Sequence, residues 1–216
     1  MRLFLATLLL TLASSAAWAG TPNVMIIHLS GPTTFGVTLN GLLASTQPPG
    51  SVGSTWYWPA DDSEIDLVII EEWPDPHNWA VNGLWLQAAM FVENGGGLIL
   101  MGTLFGGIDS IAGDMVANTP FTWSGQNLSQ DFMSLDILDP THPIFDNVNP
   151  ANLENGPTRT LGLGVQPWAT LLANSENPTE PAIAVEFPFS TPGSGPVIAI
   201  NFVPCEDGSC SLMESI

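Results

Sequence analysis

An α/β domain built on a mostly parallel sheet is what this sequence predicts, and three observations predict it. Residues 84–102 (LWLQAAMFVENGGGLILMG) carry an amphipathic helix through a triple glycine into a short strand. Residues 24–29 (VMIIHL) and 66–72 (DLVIIEE) are two further apolar runs of strand length, each followed by turn-forming residues. Strands apolar on both faces belong to sheets that helices cover on both sides, which is the situation of parallel sheets.

Residues 24–29 open the sheet after a turn-prone Thr-Pro-Asn, and Gly31-Pro32 ends that strand. Thr33 or Thr34 can cap a helix in which Phe35, Leu39, Leu42 and Leu43 share one stripe. Residues 47–54, rich in Pro, Gly and Ser, are expected to be a loop, and Trp56-Tyr57-Trp58 a short edge strand or a surface aromatic cluster. The second strand, 66–72, ends in Glu71-Glu72 and a Trp-Pro-Asp-Pro-His loop. A helix over 78–94 follows, with Leu84, Trp85, Ala88, Ala89, Phe91 and Val92 on its inner side. Gly95 can take the left-handed conformation that stops a helix, and 98–101 is the next strand. Two successive strand-helix crossovers of this kind give a flavodoxin-like core.

Residues 103–125, dominated by Gly, Asn, Thr and Pro, read as a long excursion over the strand ends, where loops shape sites. Residues 135–138 lead into a rigid turn, DPTHPIF, at 139–145. Three late strands are expected at 168–173, 182–187 and 197–202. Their connections are too short for a helix, so they should pair antiparallel. The result is a three-layer sandwich with a mostly parallel central sheet and late antiparallel strands.

Composition narrows the function classes. Residues 1–19 look like a secretory signal, with Arg2, an apolar stretch and an Ala17-Trp18-Ala19 cleavage site, leaving 20–216 as one domain. The expected location is secreted or periplasmic. Hydrophobic content of 45% with eight Trp and ten Phe argues against disorder. Once Arg2 is removed, Arg159 alone faces 21 acidic residues, and Lys is absent from the sequence. No basic patch can therefore be assembled, which excludes nucleic-acid partners and anionic membrane surfaces. Cys205 and Cys210 flank four residues and, in an exported chain, read as a short disulfide loop.

The pieces VMIIH, DLVII, FVENGGGLILMG, DPTHPIF and GPVIAINF, spread over residues 24–202, resemble the class I glutamine amidotransferase-like superfamily, particularly its trehalose-utilisation-like (ThuA-like) branch. The resemblance implies a flavodoxin-like α/β domain. Amidotransferases of this kind place a nucleophilic Cys just after the strand that 98–101 resembles and use a late His-x-Glu pair as base. Here Thr103 and Leu104 occupy that loop, and no His follows His142. The scaffold is expected without the catalytic Cys.

The candidate chemistry is acidic. Glu71, Glu72, Asp75 and His77 lie beyond a strand's carboxyl end, where α/β sheets bind ligands, and could ligate calcium or supply an acid/base pair. With Thr33, Thr34 and Thr103 from neighbouring loops they form the expected ligand-binding set for a carbohydrate or a cation. A solvated acidic loop is the alternative reading. Asp61, Asp62 and Glu64 form a second acidic cluster, without the glycine and distal Glu of an EF-hand loop. Asp139 and His142 could join the site if their loop folds over the strand ends. Two function classes follow: a noncatalytic binding or scaffold module, or a hydrolase of a glycoside or polyol that uses Glu71 or Glu72 with His77 or His142. Trp-rich segments at 56–58 and 73–79, together with Trp123, suit sugar stacking in either.

Overall fold

The computed structural model describes residues 22–28, 52–55, 58–72, 83–102, 119–132, 135–141, 158–175, 185–188, 194–201 and 203–204. Strands β1 (Val24–His28), β2 (Val52–Thr55), β3 (Leu67–Glu72) and β4 (Gly97–Gly102) run parallel, in the spatial order β2-β1-β3-β4. Next to β4 lies β11 (Pro196–Ile200), also parallel, and beyond it β10 (Val185–Pro188) and β8 (Thr170–Leu171) complete a seven-stranded sheet with antiparallel pairing. The five parallel strands thus follow the flavodoxin-like order 2-1-3-4-5, with β11 as the fifth. The fold is α/β and flavodoxin-like, and the late strands in the main sheet pair antiparallel as their short connections require.

Transverse rows of apolar residues hold the sheet. Ile27, Ile70, Leu100 and Ala199 stand in register across four strands and are buried against helix α1 (Leu84–Glu93). One residue along, Ile26, Ile69, Ile99 and Ile198 form the opposite face and are equally buried, so a second layer covers them. Fully burying a side chain of this size contributes about 1.5–3 kcal/mol, which makes these rows the main stabilising element of the sheet.

Helix α1 buries Leu84, Ala88, Ala89, Phe91 and Val92 on this sheet and exposes Gln87 and Glu93. It starts later than the periodicity predicts, at Leu84 instead of residue 78, because Gly83 has φ 66° and a right-handed helix cannot run through it. At the other end Gly95 has φ 99°, its N–H reaches the Val92 carbonyl, and the Gly96 N–H reaches that of Phe91. These two bonds make a Schellman stop, the role the triple glycine was expected to play.

Four expectations need correction. The Pro/Gly/Ser-rich stretch is not all loop, since Val52–Thr55 adds to β1 as an edge strand that needs only backbone donors and acceptors. The excursion after Gly102 ends sooner than expected, because Phe121–Phe132 forms β5, paired antiparallel with β7 (Thr158–Val165). The strand expected at 168–173 is broken: Trp168 sits in an exposed turn, Thr170–Leu171 joins the main sheet, and β9 (Ala173–Ser175) pairs with β6 (Leu135–Ile137). The last strand of the main sheet stops at Ile200, and β12 (Val203–Pro204) turns away to pair with β7. Among the described residues, no helix is long and apolar enough to cross a membrane.

Candidate site at the carboxyl edge of the sheet

In an open α/β sheet, ligands settle where neighbouring crossovers leave in opposite directions. Here that point lies between β1 and β3, because β2 flanks β1 on one side and β3 on the other. The last residue of β1, His28, is in register with Glu71 of β3, and Glu71 is in register with Met101 of β4. Glu72 faces Gly102, the residue from which the Thr103 loop departs. Neighbouring strands lie about 4.8 Å apart, so the backbones of His28 and Glu71 stand side by side at the carboxyl ends of β1 and β3.

His28 is 5% exposed and Asn201, which follows β11, is 1% exposed. Both are polar residues buried at the same edge of the sheet, and both carry hydrogen-bonding or electrostatic contacts. By strand alternation His28 belongs to the face of Ile26, opposite α1. Asn201 follows β11, three strands from β1, so the two side chains close the edge at separate places. Neither residue was singled out from the sequence. The signal that could have found them is a lone polar residue closing an otherwise apolar central strand.

The acidic residues divide between the two ends of β3. Glu71 and Glu72 form its carboxyl end, whereas Asp61, Asp62 and Glu64 precede its start, roughly 20 Å away at about 3.3 Å per strand residue. They cannot serve one ligand. At the amino edge Asp62 accepts a hydrogen bond from Trp58 Nε1 at 2.9 Å, and Asp61 accepts one from the Ser63 backbone N–H at 3.0 Å. The Ser63 hydroxyl, then that backbone N–H, hold the Asp61 carboxyl below its ordinary 3.8. Among the described residues, no three His, Cys, Asp or Glu side chains converge as a metal site would require.

Asn23 straps the same edge together. Its backbone N–H donates to Asp66 Oδ2 at 2.8 Å, its side-chain amide donates to the Glu64 carbonyl at 2.8 Å, and its own carbonyl accepts from Asp66 and Leu67. In the turn after β6, Asp139 Oδ1 accepts from both the Thr141 hydroxyl (2.6 Å) and its backbone N–H (3.0 Å), a turn-fixing role. Thr33, Thr34, Asp75, His77, Thr103, His142, Cys205 and Cys210 lie outside the described residues, as do the side chains of Glu71 and Glu72.

No protein-family model matches this sequence, and no curated protein does. Among solved structures, the chain is similar to a ThuA-like protein from Bacteroides uniformis, with 12% sequence identity and a TM-score of 0.54 over 92% of this chain and 91% of that one. At that identity the likeness is one of backbone architecture, and it agrees with the strand order derived above. The chain has a ThuA-like fold.

Proposed function

We propose that this chain is a secreted or periplasmic, noncatalytic binding or scaffold module. Its ligand, a carbohydrate or a cation such as calcium, is held by the loops beyond the carboxyl edge of the parallel sheet. The observation that carries this reading is the pairing of buried His28 with Glu71 at the β1/β3 switch point. The ends of β1, β3 and β4 and the segments that follow them in the sequence carry Thr33, Thr34, Glu72, Asp75, His77 and Thr103, with no Lys or Arg among them to attract phosphates or carboxylates. The loop after Gly102 carries Thr103 and Leu104 where amidotransferases carry their nucleophile, which supports binding over acyl transfer. Export from the cytoplasm and a Cys205–Cys210 disulfide belong to the same reading.

The register of His28 with Glu71 also favours a second reading, hydrolysis of a glycoside or polyol with Glu71 or Glu72 as the acid or base and His77 or His142 assisting. One experiment decides between them. The mature chain and its Glu71→Gln/Glu72→Gln double variant are titrated with neutral oligosaccharides and with calcium by calorimetry, and both are incubated with aryl glycosides. Saturable binding that the double variant loses, without aryl-alcohol release, supports the module. Release that the double variant abolishes establishes the hydrolase, and neither binding nor release removes the carboxyl edge as a site.

A further inference from the structure

The described residues form a groove at the other, amino-terminal, edge of the sheet, with a volume of about 410 Å³. It lies between the segment that leads into β3 and the C-terminal half of α1, and small-ligand sites commonly occupy about 300–1,000 Å³. Trp58 forms one wall. Its indole N–H is fixed on Asp62 at 2.9 Å, and its ring stands against the buried Phe91 ring, centroids 5.5 Å apart and planes at 68°. Both ends of the side chain are held, so this half-buried aromatic surface is set in place before any ligand arrives.

The groove's remaining lining is mixed. Met90, 52% exposed, extends the apolar surface, while Gln87, Asn94 and Ser63 bring amide and hydroxyl groups. Gly96 lets the Phe91 ring lie directly on the backbone at the groove's floor, because a Cβ there would overlap that ring. The lining contains no cationic residue, so a phosphate or carboxylate ligand would have no counter-charge. Asp62 is its single carboxylate, and one of its oxygens is already engaged by Trp58, far short of the 6–8 oxygens that calcium takes. A wholly apolar ligand would desolvate the amides without replacing their hydrogen bonds. What fits is a neutral molecule with an apolar face for Trp58 and Met90 and hydroxyls for Gln87, Asn94 and Ser63.

We propose that the Trp58 groove binds a neutral saccharide ring, as a site separate from the carboxyl edge. The ring's C–H face stacks on Trp58, and its hydroxyls exchange hydrogen bonds with the Gln87 and Asn94 side chains. The proposal does not depend on the function of the carboxyl edge, which is read by the Glu71→Gln/Glu72→Gln double variant.

The test is ¹⁹F NMR on the mature chain labelled with 5-fluorotryptophan, titrated with maltose, cellobiose and lactose. Trp58→Phe identifies the Trp58 resonance by its disappearance. The expected result is a saturable shift of that resonance with at least one disaccharide, and a Kd raised roughly three- to tenfold by Gln87→Ala and by Asn94→Ala, the loss of one hydrogen bond each. Both variants change exposed positions and leave the fold in place, so they read the groove even if Trp58→Phe perturbs folding. A Trp58 resonance that none of the three sugars moves, or a shift that both alanine variants leave unchanged, overturns the proposal.

Discussion

The backbone N–H of Gly195 donates to the carbonyl oxygen of Val92 at 2.8 Å, which ties the entry of β11 to the last turn of α1. The approach is so close that a Cβ on Gly195 would overlap the carbonyl of Gly96. Backbone cannot withdraw here, because Gly96 is itself held by its bond to Phe91 in the helix stop. Gly195→Ala should therefore destabilise the protein by about 1–3 kcal/mol, the usual cost of overpacking. A drop in urea midpoint with an unchanged slope checks it. A neutral substitution would mean that the two segments do not meet in solution.

Burial separates two positions of similar chemistry. Ile70 is fully buried between α1 and the sheet, whereas Leu86 on the outer side of the helix is 59% exposed. Ile70→Ala should cost about 2–5 kcal/mol, and Leu86→Ala about 0.5 kcal/mol or less. Chemical denaturation of the two variants side by side reads the difference. Equal costs would place Leu86 in a contact of its own.

The Asp61 carboxyl offers a pH prediction with a definite sign. Its folded-state value is depressed by Ser63, so its contribution is present above the unfolded value of 3.8 and is lost as pH falls through the lower folded value. Removing the hydroxyl with Ser63→Ala should raise the Asp61 titration midpoint toward 3.8 while the Ser63 backbone donor keeps part of the depression. Carboxyl ¹³C shifts followed through an acid titration measure this directly. A midpoint that stays in place would assign the whole effect to the backbone N–H.

Calcium at the carboxyl edge would act by mass action on the folded state. At a hundredfold excess over Kd the stabilisation is about 2.7 kcal/mol, which a thermal melt resolves easily. A melting temperature that rises in millimolar calcium and returns with a chelator is expected, and the rise should vanish in the Glu71→Gln/Glu72→Gln variant. A calcium effect that persists in the variant would locate the ion elsewhere.

The interior of the main sheet was legible because its physics is local. The centres of β1 and β3 are buried on both faces and must be apolar there, so Ile26, Ile27, Ile69 and Ile70 announce themselves. The helix stop at Gly95 was legible for the same reason, since only a left-handed residue closes a helix that way. By contrast, the strand Val52–Thr55 draws its stability from backbone pairing with β1, and its VGST sequence carries no periodicity. The β5–β7 pair was missed because its partners are distant in sequence and its pairing is interrupted by register shifts at Trp123/Gln126 and Gln126/Gln130. At the site, Glu71 and Glu72 could be placed from the end of their strand, whereas His28 and Asn201 acquire meaning only once the strand order sets them on one edge.

The order of the main sheet has one more implication. Its flanks are β2, four residues long, and β8, two residues long, so the outermost rows of unsatisfied backbone groups are short. Intermolecular strand addition requires a lengthy, flat template, and neither margin provides one. At the main sheet, among the described residues, a second copy would find little backbone to extend, and the surplus of negative charge repels it further. The longer margin is β5, twelve residues long and outermost in its own sheet, and its pairing is interrupted by register shifts.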